Sequence, residues 1–458
     1  VHLPISRRRF LLDGSKAALG ASLGGALLAA CGGQGSQSNA ATINFWYGLD
    51  DGNQRAYMKS HDVDAFNKAN PNINVEISFK PEADVDRLIQ IALASGKGPD
   101  IVPTPGPAYA LQYINANLFL DLDTYARQYN WKNKILGWAL DAGRVHNKLY
   151  SLPGSYQTLI IYYNKTLFEQ KGWKIPTNRS ELEGLAQEAM GQGIMPFMAG
   201  NADSRGASEW YTTMFFNHYA GPDAVYQALT GKLAWTDPVF VDAITLLRSY
   251  FLKGWFGGGV QKYFTNTFST LDAAFAKGKA AMDVEGSWAF ANWPSYFGPG
   301  NSGMDYDWFP IPPLRDGVPQ NLYTLGIGYT LSIKATSKVA SASARYLDWL
   351  YSTPQRAAQE LADINFPPPP IPLNPADFPA RLDPRIKRHY LALDQASAQG
   401  NFGYTTWTFW PPRSDVIAYS SLDKVLSGDM TPAQFCAEMN QTFQQELAQG
   451  VVPPIPKR

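Results

Sequence analysis

Two cysteines, Cys31 and Cys436, stand in 458 residues. Two thiols build neither a disulfide framework nor a cysteine-rich metal cluster. The five histidines (His2, His61, His146, His218 and His389) are scattered without ligand-like spacing, so no zinc site is expected. Net charge is also missing, because 39 Lys+Arg face 39 Asp+Glu. A nucleic-acid binder needs a standing positive field, and that class drops out. Charged residues make up only 17% against 45% hydrophobic, which excludes a disordered chain. No apolar run reaches the ~20 residues of a membrane span. Nucleotide motifs are incomplete. Gly326-Ile327-Gly328 lacks a third glycine, and no Gly-Lys-Ser/Thr follows Gly257-Gly258-Gly259. No cofactor is expected.

Aromatics are plentiful: 13 Trp, 24 Tyr and 24 Phe. With 33 Pro and 39 Gly they describe a loop-rich protein with rings to spare for a binding surface. The length allows two or three ordinary domains and a large core.

The first thirty residues read as an export signal. Ser6-Arg7-Arg8-Arg9-Phe10-Leu11-Leu12 is basic, then 17–30 is small and apolar apart from Ser22. The paired arginines resemble a twin-arginine signal. Leu28-Ala29-Ala30-Cys31-Gly32 resembles a bacterial lipobox, in which Cys31 takes a diacylglycerol thioether and becomes the first mature residue. A Gly/Ser/Gln/Asn tether follows to residue 41. Two acyl chains hold a protein at a membrane at roughly 0.8 kcal/mol per buried methylene. Gly20-Ala21-Ser22-Leu23-Gly24 matches a serine-hydrolase pattern, but inside the apolar leader it is a chance match.

The body alternates strand and helix. Residues 42–46 form a short β-type run, and 55–69 look helical. Ile73, Val75, Ile77 and Phe79 keep a strand period. Val85, Leu88, Ile89, Ala92 and Leu93 keep a helical one, ended by Gly96. Leu159-Ile160-Ile161-Tyr162-Tyr163 predicts a strand buried on both faces. Ala340, Ala344, Leu347 and Tyr351 mark a helix. Thr431-Pro432-Ala433-Gln434 predicts a capping box at the start of the last one. Phe435, Met439, Phe443 and Leu447 recur every four residues, which puts Cys436 on or beside a core-facing surface. Alternation of this kind predicts α/β architecture with mostly parallel sheets. The stretch 366–372, rich in proline, reads as a stiff extended crossing over the surface.

Several separated stretches carry a resemblance. They are Ile43-Asn44-Phe45-Trp46-Tyr47 with 66–75; Ala94-Ser95-Gly96-Lys97-Gly98-Pro99-Asp100-Ile101-Val102; and Leu152-Pro153 with 161–168. The others are Phe275-Ala276-Lys277-Gly278-Lys279-Ala280-Ala281-Met282 with Gly286-Ser287-Trp288, and 333–338 before a helix carrying Tyr346-Leu347. Together they resemble the extracellular solute-binding lipoproteins of ATP-driven (ABC) importers, family 1, which include oligosaccharide and glycerol-phosphate receptors. The resemblance covers nearly the whole mature chain. It implies a periplasmic-binding-protein-like α/β fold, two α/β lobes with hinge crossovers and an interlobe ligand cleft. On that pattern 42–155 plus 326–370 form lobe one, and 156–325 plus 371–458 form lobe two. It implies a monomer that is no enzyme, takes a carbohydrate or related polyol, and delivers it to membrane permease subunits.

Aromatic rings cover the C–H faces of a sugar, while carboxylates, amides and arginine bond its hydroxyl rim. Tyr47 and Asp50 follow the first strand, at the carboxyl end where open α/β sheets place ligands; Trp46 is either core or cleft. The family pattern makes Trp288 and Trp210 stacking platforms. Tyr156 and Gln157 lie at a crossover, where Gln157 either meets ligand or makes a hinge hydrogen bond. Glu285 serves either a ligand or a structural salt bridge. Gly326 and Gly328 let backbone amides approach a ligand, or form a tight hinge. Asn201 and Asp203 bond hydroxyls or form a turn. Trp407, Trp410 and Arg413 cluster, and Arg413 either clamps a ligand bidentately or sits on a helix surface. If Arg413 faces the cleft, a glycerophosphodiester also fits. The rival from another class is a secreted glycan-active hydrolase using a carboxylate pair among Asp50, Asp51, Asp100 and Glu285.

Overall fold

The computed structural model describes residues 40–82, 84–203 and 207–458. The leader, the twin arginines and the lipobox Cys31 lie outside the described residues.

The strands are β1 (Ala41–Gly48), β2 (Ile73–Lys80), β3 (Ile101–Thr104), β4 (Arg144–Val145), β5 (Lys148–Leu149) and β6 (Ser151–Pro153). They continue with β7 (Tyr156–Gln157), β8 (Leu159–Asn164), β9 (Met195–Met198) and β10 (Ala280–Gly286). The last four are β11 (Tyr306–Phe309), β12 (Tyr323–Ile327), β13 (Thr330–Ile333) and β14 (Phe402–Tyr404). One lobe is built on the sheet β2-β1-β3-β13-β6, the other on β11-β8-β10-β9. A small sheet, β14-β12-β7, uses the crossover segments, and β4 pairs with β5 as a hairpin. The architecture is two α/β lobes of the periplasmic-binding type.

The alternating pattern of β1 has a direct consequence. Ile43, Phe45 and Tyr47 share the buried face. Trp46 takes the opposite face, half-buried, with the Lys80 ammonium 4.7 Å from its ring centroid. That makes a cation–π contact and keeps Trp46 out of the cleft. As its continuous apolar run predicts, β8 is buried along its length except for half-buried Tyr163. The helix Val85–Ala94 ends before Gly96, whose φ is +72°. Thr431 and Gln434 form the expected capping box on the helix Pro432–Ala448. Cys436 is fully buried in that helix, and burial pushes its thiol up to about 12.

Two expectations fail. The sheets are mixed, not mostly parallel. β13 runs antiparallel to both β3 and β6, and β8 is antiparallel to both its neighbours. Handedness rules constrain a strand that returns through a local helix. They do not constrain β13, which re-enters its sheet from a crossover. The proline-rich stretch is also not a surface crossing, because Pro367, Pro368, Pro369 and Pro370 are all buried. Proline carries no N–H, so a buried run leaves only carbonyls to satisfy. Tyr156 N donates to Pro368 O (2.7 Å) and Leu136 N donates to Pro370 O (2.9 Å).

Candidate functional site

The carboxyl end of β1 opens onto a cavity of about 580 Å³. One wall comes from the β1 lobe: Tyr47, Gly48 and Leu49, with Tyr329 from the turn after β12. Tyr47 and Tyr329 meet edge to face, centroids 5.3 Å apart. Burial pushes the Tyr47 phenol well above its ordinary range, so it stays a neutral hydrogen-bonding group. The opposite wall holds three indoles. Trp288 sits 5.4 Å from Trp210 and 5.9 Å from Trp407, inclined at 55° and 73°. Tilted rings of this kind present faces at several angles to a ligand.

Gln157 and Thr104, both buried, line the cavity between the walls. Asp51, Glu82, Asp86 and Asn292 are exposed at the rim. Asp51 also caps the helix Gly52–Tyr57, accepting from Gln54 N at 2.7 Å. No Lys, Arg or His is found among the described lining residues.

Glu209 reaches the cavity from the helix Ser208–Phe215. Thr406 Oγ1 donates to its Oε2 at 3.3 Å. Burial and then the charge of Asp415 hold the Glu209 carboxyl well above the usual range. Burial raises Asp415 to about 7, against the lowering effect of hydrogen bonds from Glu209 and Tyr109. Two acids so placed share a proton. Tyr109 Oη donates to Asp415 Oδ2 at 3.2 Å, bonding the helix after β3 to the helix Pro412–Ser427.

Among the residues singled out from sequence, Tyr47, Gln157, Trp210, Trp288 and Trp407 line the cavity. Gly328 lines it as well, and a Cβ there would lie 2.1 Å from Gln157 Nε2. Gly326 does not; it packs behind the wall, where a Cβ would meet Gln157 O at 3.0 Å and the Trp407 ring at 3.2 Å. Its glycine serves close approach and not a positive φ. Tyr156 turns inward against Trp138 (5.4 Å). Adjacent β7 residues point to opposite faces, so only Gln157 reaches the cavity. Asp50 faces away, its carboxylate 3.2 Å from Arg55 Nη2. Glu285 is not among the residues lining the cavity and forms no salt bridge. It accepts the Trp288 indole N–H at 3.0 Å.

Arg413 belongs to neither cleft nor clamp. Its Nη2 donates to Gln445 Oε1 (2.6 Å) and its backbone N to Glu446 Oε1 (2.9 Å). Trp410 is fully buried against Trp235. Asn201 donates to Asp423, and Asp203 accepts from Phe268 N. Asp100 is structural: it accepts from Asn44 N and from Ser337 Oγ. Of the suggested hydrolase carboxylates only Asp51 lines the cavity. Sequence reading passed over Tyr329, Phe366, Gln54, Glu82, Asp86, Asn292 and the Glu209 side chain as cavity residues. Tyr329 carried one usable signal, since it directly follows Gly328.

Two lobes, crossover strands between them and a ring-walled cavity at the carboxyl end of a strand define a solute receptor. The chain belongs to the bacterial extracellular solute-binding protein family, whose model matches residues 51–357. It is 24% identical over 381 residues to the multiple sugar-binding protein of Streptococcus mutans, covering 81% of this chain and 86% of that one. Its fold is similar to that of a chitin oligosaccharide binding protein (TM-score 0.74, 21% identity, 90% and 100% covered). It is also similar to a structure from a study of xylan utilization by Caldanaerobius polysaccharolyticus (TM-score 0.72, 23% identity, 88% and 99% covered). Among the described residues no helix is long and apolar enough to cross a membrane.

Proposed function

We propose that this protein is the substrate-binding lipoprotein of an ABC importer. It captures a sugar or oligosaccharide by closing its lobes and hands it intact to the permease. The observation that carries this reading is the pair of facing aromatic walls, Tyr47 and Tyr329 against Trp210, Trp288 and Trp407, with Gln157 and Glu209 between them. Rings cover sugar faces and the polar groups bond hydroxyls. The sugar-binding name of the Streptococcus mutans relative agrees.

We assign 42–155 with 326–370 to one lobe and 156–325 with 371–458 to the other; the sheets β2-β1-β3-β13-β6 and β11-β8-β10-β9 support their central parts. The helix Pro412–Ser427 packs on Ser208–Phe215, and Pro432–Ala448 on Pro238–Leu252, which supports giving the C-terminal part to the second lobe. Lipidation at Cys31 holds this body at the outer face of the membrane, as a monomer. Ligand bridging both walls must favour the closed state by roughly 5.5 kcal/mol to move the population from mostly open to mostly closed. Several stacked rings and shared hydrogen bonds are of that size.

A glycerophosphodiester is disfavoured, because the described lining offers it no cation and Arg413 is engaged with Gln445. A thermal-shift screen of the purified protein tests both readings. A matching sugar at 100 times its dissociation constant should add about 2.7 kcal/mol of stability. A shift with phosphodiesters and with no sugar would reverse the assignment. Cleavage of any glycan during incubation would make the protein an enzyme.

The Gln157 amide offers a sharper check. In Gly328→Ala the new methyl needs the space of Gln157 Nε2, so the amide must swing aside. A flexible side chain does this cheaply. Sugar affinity should fall roughly fivefold, about one lost hydrogen bond, with the melting temperature of the free protein nearly unchanged. Calorimetric titration reads the first and a melt the second.

A further inference from the structure

Trp288 does not lie in the wall by packing alone. The segment Glu285-Gly286-Ser287-Trp288 folds back so that the indole covers the end of its own strand, β10. Trp288 Nε1 donates to Glu285 Oε1 at 3.0 Å. The ring crosses Gly286 so closely that a Cβ there would sit 2.0 Å from Cζ3. A β-strand sends alternate side chains to one face, so Glu285 shares its face with Asp283. Asp272, from the helix Phe268–Ala276, acts on both of them electrostatically. All three carboxyls are buried, although acids are rarely placed in a core without a task. An apolar residue at position 285 would satisfy the sheet equally well and leave the indole N–H without its acceptor.

We propose that Glu285 is a positioning residue, which fixes the plane of the Trp288 indole in the cavity wall by accepting its N–H. The proposal rests on the sugar-receptor reading and adds to it a source of pre-organisation. A ring already held in its bound orientation loses less freedom when ligand arrives. Burial, and then Asp272, push Glu285 up to about 8, so the group is a neutral acid at pH 7. Its carbonyl oxygen does the accepting, and a glutamine Oε1 occupies the same place. This singles out Glu285→Gln as the conservative variant and Glu285→Leu as the one without an acceptor.

The test compares these two with wild type and with Trp288→Phe, which removes the donor. In ligand-free protein, the indole N–H resonance absent from Trp288→Phe is that of Trp288. Glu285→Leu should shift that resonance and speed its exchange with solvent, whereas Glu285→Gln should leave it protected. The dissociation constant for the sugar found by thermal shift should rise about tenfold in Glu285→Leu, and less than threefold in Glu285→Gln. In the Trp288→Phe background, Glu285→Leu should add no further loss. If Glu285→Leu does not fold, Glu285→Gln against Trp288→Phe still decides, since the proposal requires the first to keep affinity and the second to lose it. An unchanged Trp288 signal in Glu285→Leu would overturn the proposal. So would equal losses in the glutamine and leucine variants. Failure of wild type to bind any sugar would instead overturn the receptor reading, and the ligand-free resonance would still report on Glu285.

Discussion

Trp288→Ala should weaken sugar binding by roughly thirtyfold, about 2 kcal/mol, which is the scale of an aromatic hot spot. The ring is half-buried in the free protein and lies between Trp210 and Trp407. Its loss therefore removes one stacking face and also lets its two neighbours tilt. Little core is opened, because one side of the indole already faces the cavity. The free protein should keep its fold and cooperative melt. Trp288→Phe keeps a ring and drops the N–H, so its affinity should fall between wild type and alanine. Titration calorimetry on the three proteins checks the order. Unchanged affinity in the alanine variant would reassign Trp288 to structure and move the site elsewhere.

The second large effect is on stability against pH. The melting temperature should rise as pH is lowered from 8 to about 5.5. Burial raises Asp272, Asp394 and Asp415 to about 7 and Glu285 to about 8. In the unfolded chain these acids release their protons near pH 4. Between those values the folded chain holds protons that the unfolded chain does not. The stabilisation is complete below the unfolded pKa and is lost as pH rises through 7 to 8. Buried Asp283 and half-buried Glu209 and Glu360, their carboxyls also raised, act in the same direction.

Two histidines oppose this. Burial holds His218 and His389 down to about 3, so below 6.5 the unfolded chain takes protons that the folded one refuses. The slope should therefore lessen below pH 6.5 without changing sign. One net proton is worth about 1.4 kcal/mol per pH unit. Over two units that is roughly 3 °C in melting temperature for a chain of this size. Asp394→Asn, outside the cavity lining, should reduce the dependence by its own share. A melting temperature that is flat or falling from pH 8 to 6 would refute the assignment of neutral buried acids.

Local signals in the chain were strong where one residue's neighbours in sequence are also its neighbours in space. Tyr47, at the carboxyl end of the first predicted strand, lies in the cavity wall as that position implied. The Thr431/Gln434 spacing made its capping box. The Gly-Ser-Trp turn delivered Trp288 to the cavity. Where partners lie far apart in sequence, the same reasoning left alternatives open. Arg413 stands close to Trp407 in the chain, yet its side chain goes to Gln445. Tyr109 finds Asp415 across 306 residues. Phe366 enters the cavity only because the proline stretch runs through the interior between lobes.

The amino-acid sequence by itself determined the alternating elements and the helix caps, and its motifs, through their resemblance to a known family, implied the two-lobed plan and several of the cavity side chains. It did so because periodicity, caps and motif spacing are properties of neighbouring residues. The tertiary structure alone decided strand direction, the burial of the prolines, the partner of Glu285 and the departure of Arg413 from the site. Each of these depends on which distant segments meet at the crossovers. Such encounters follow from packing and hydrogen-bond satisfaction summed over the whole molecule, and no short stretch encodes them.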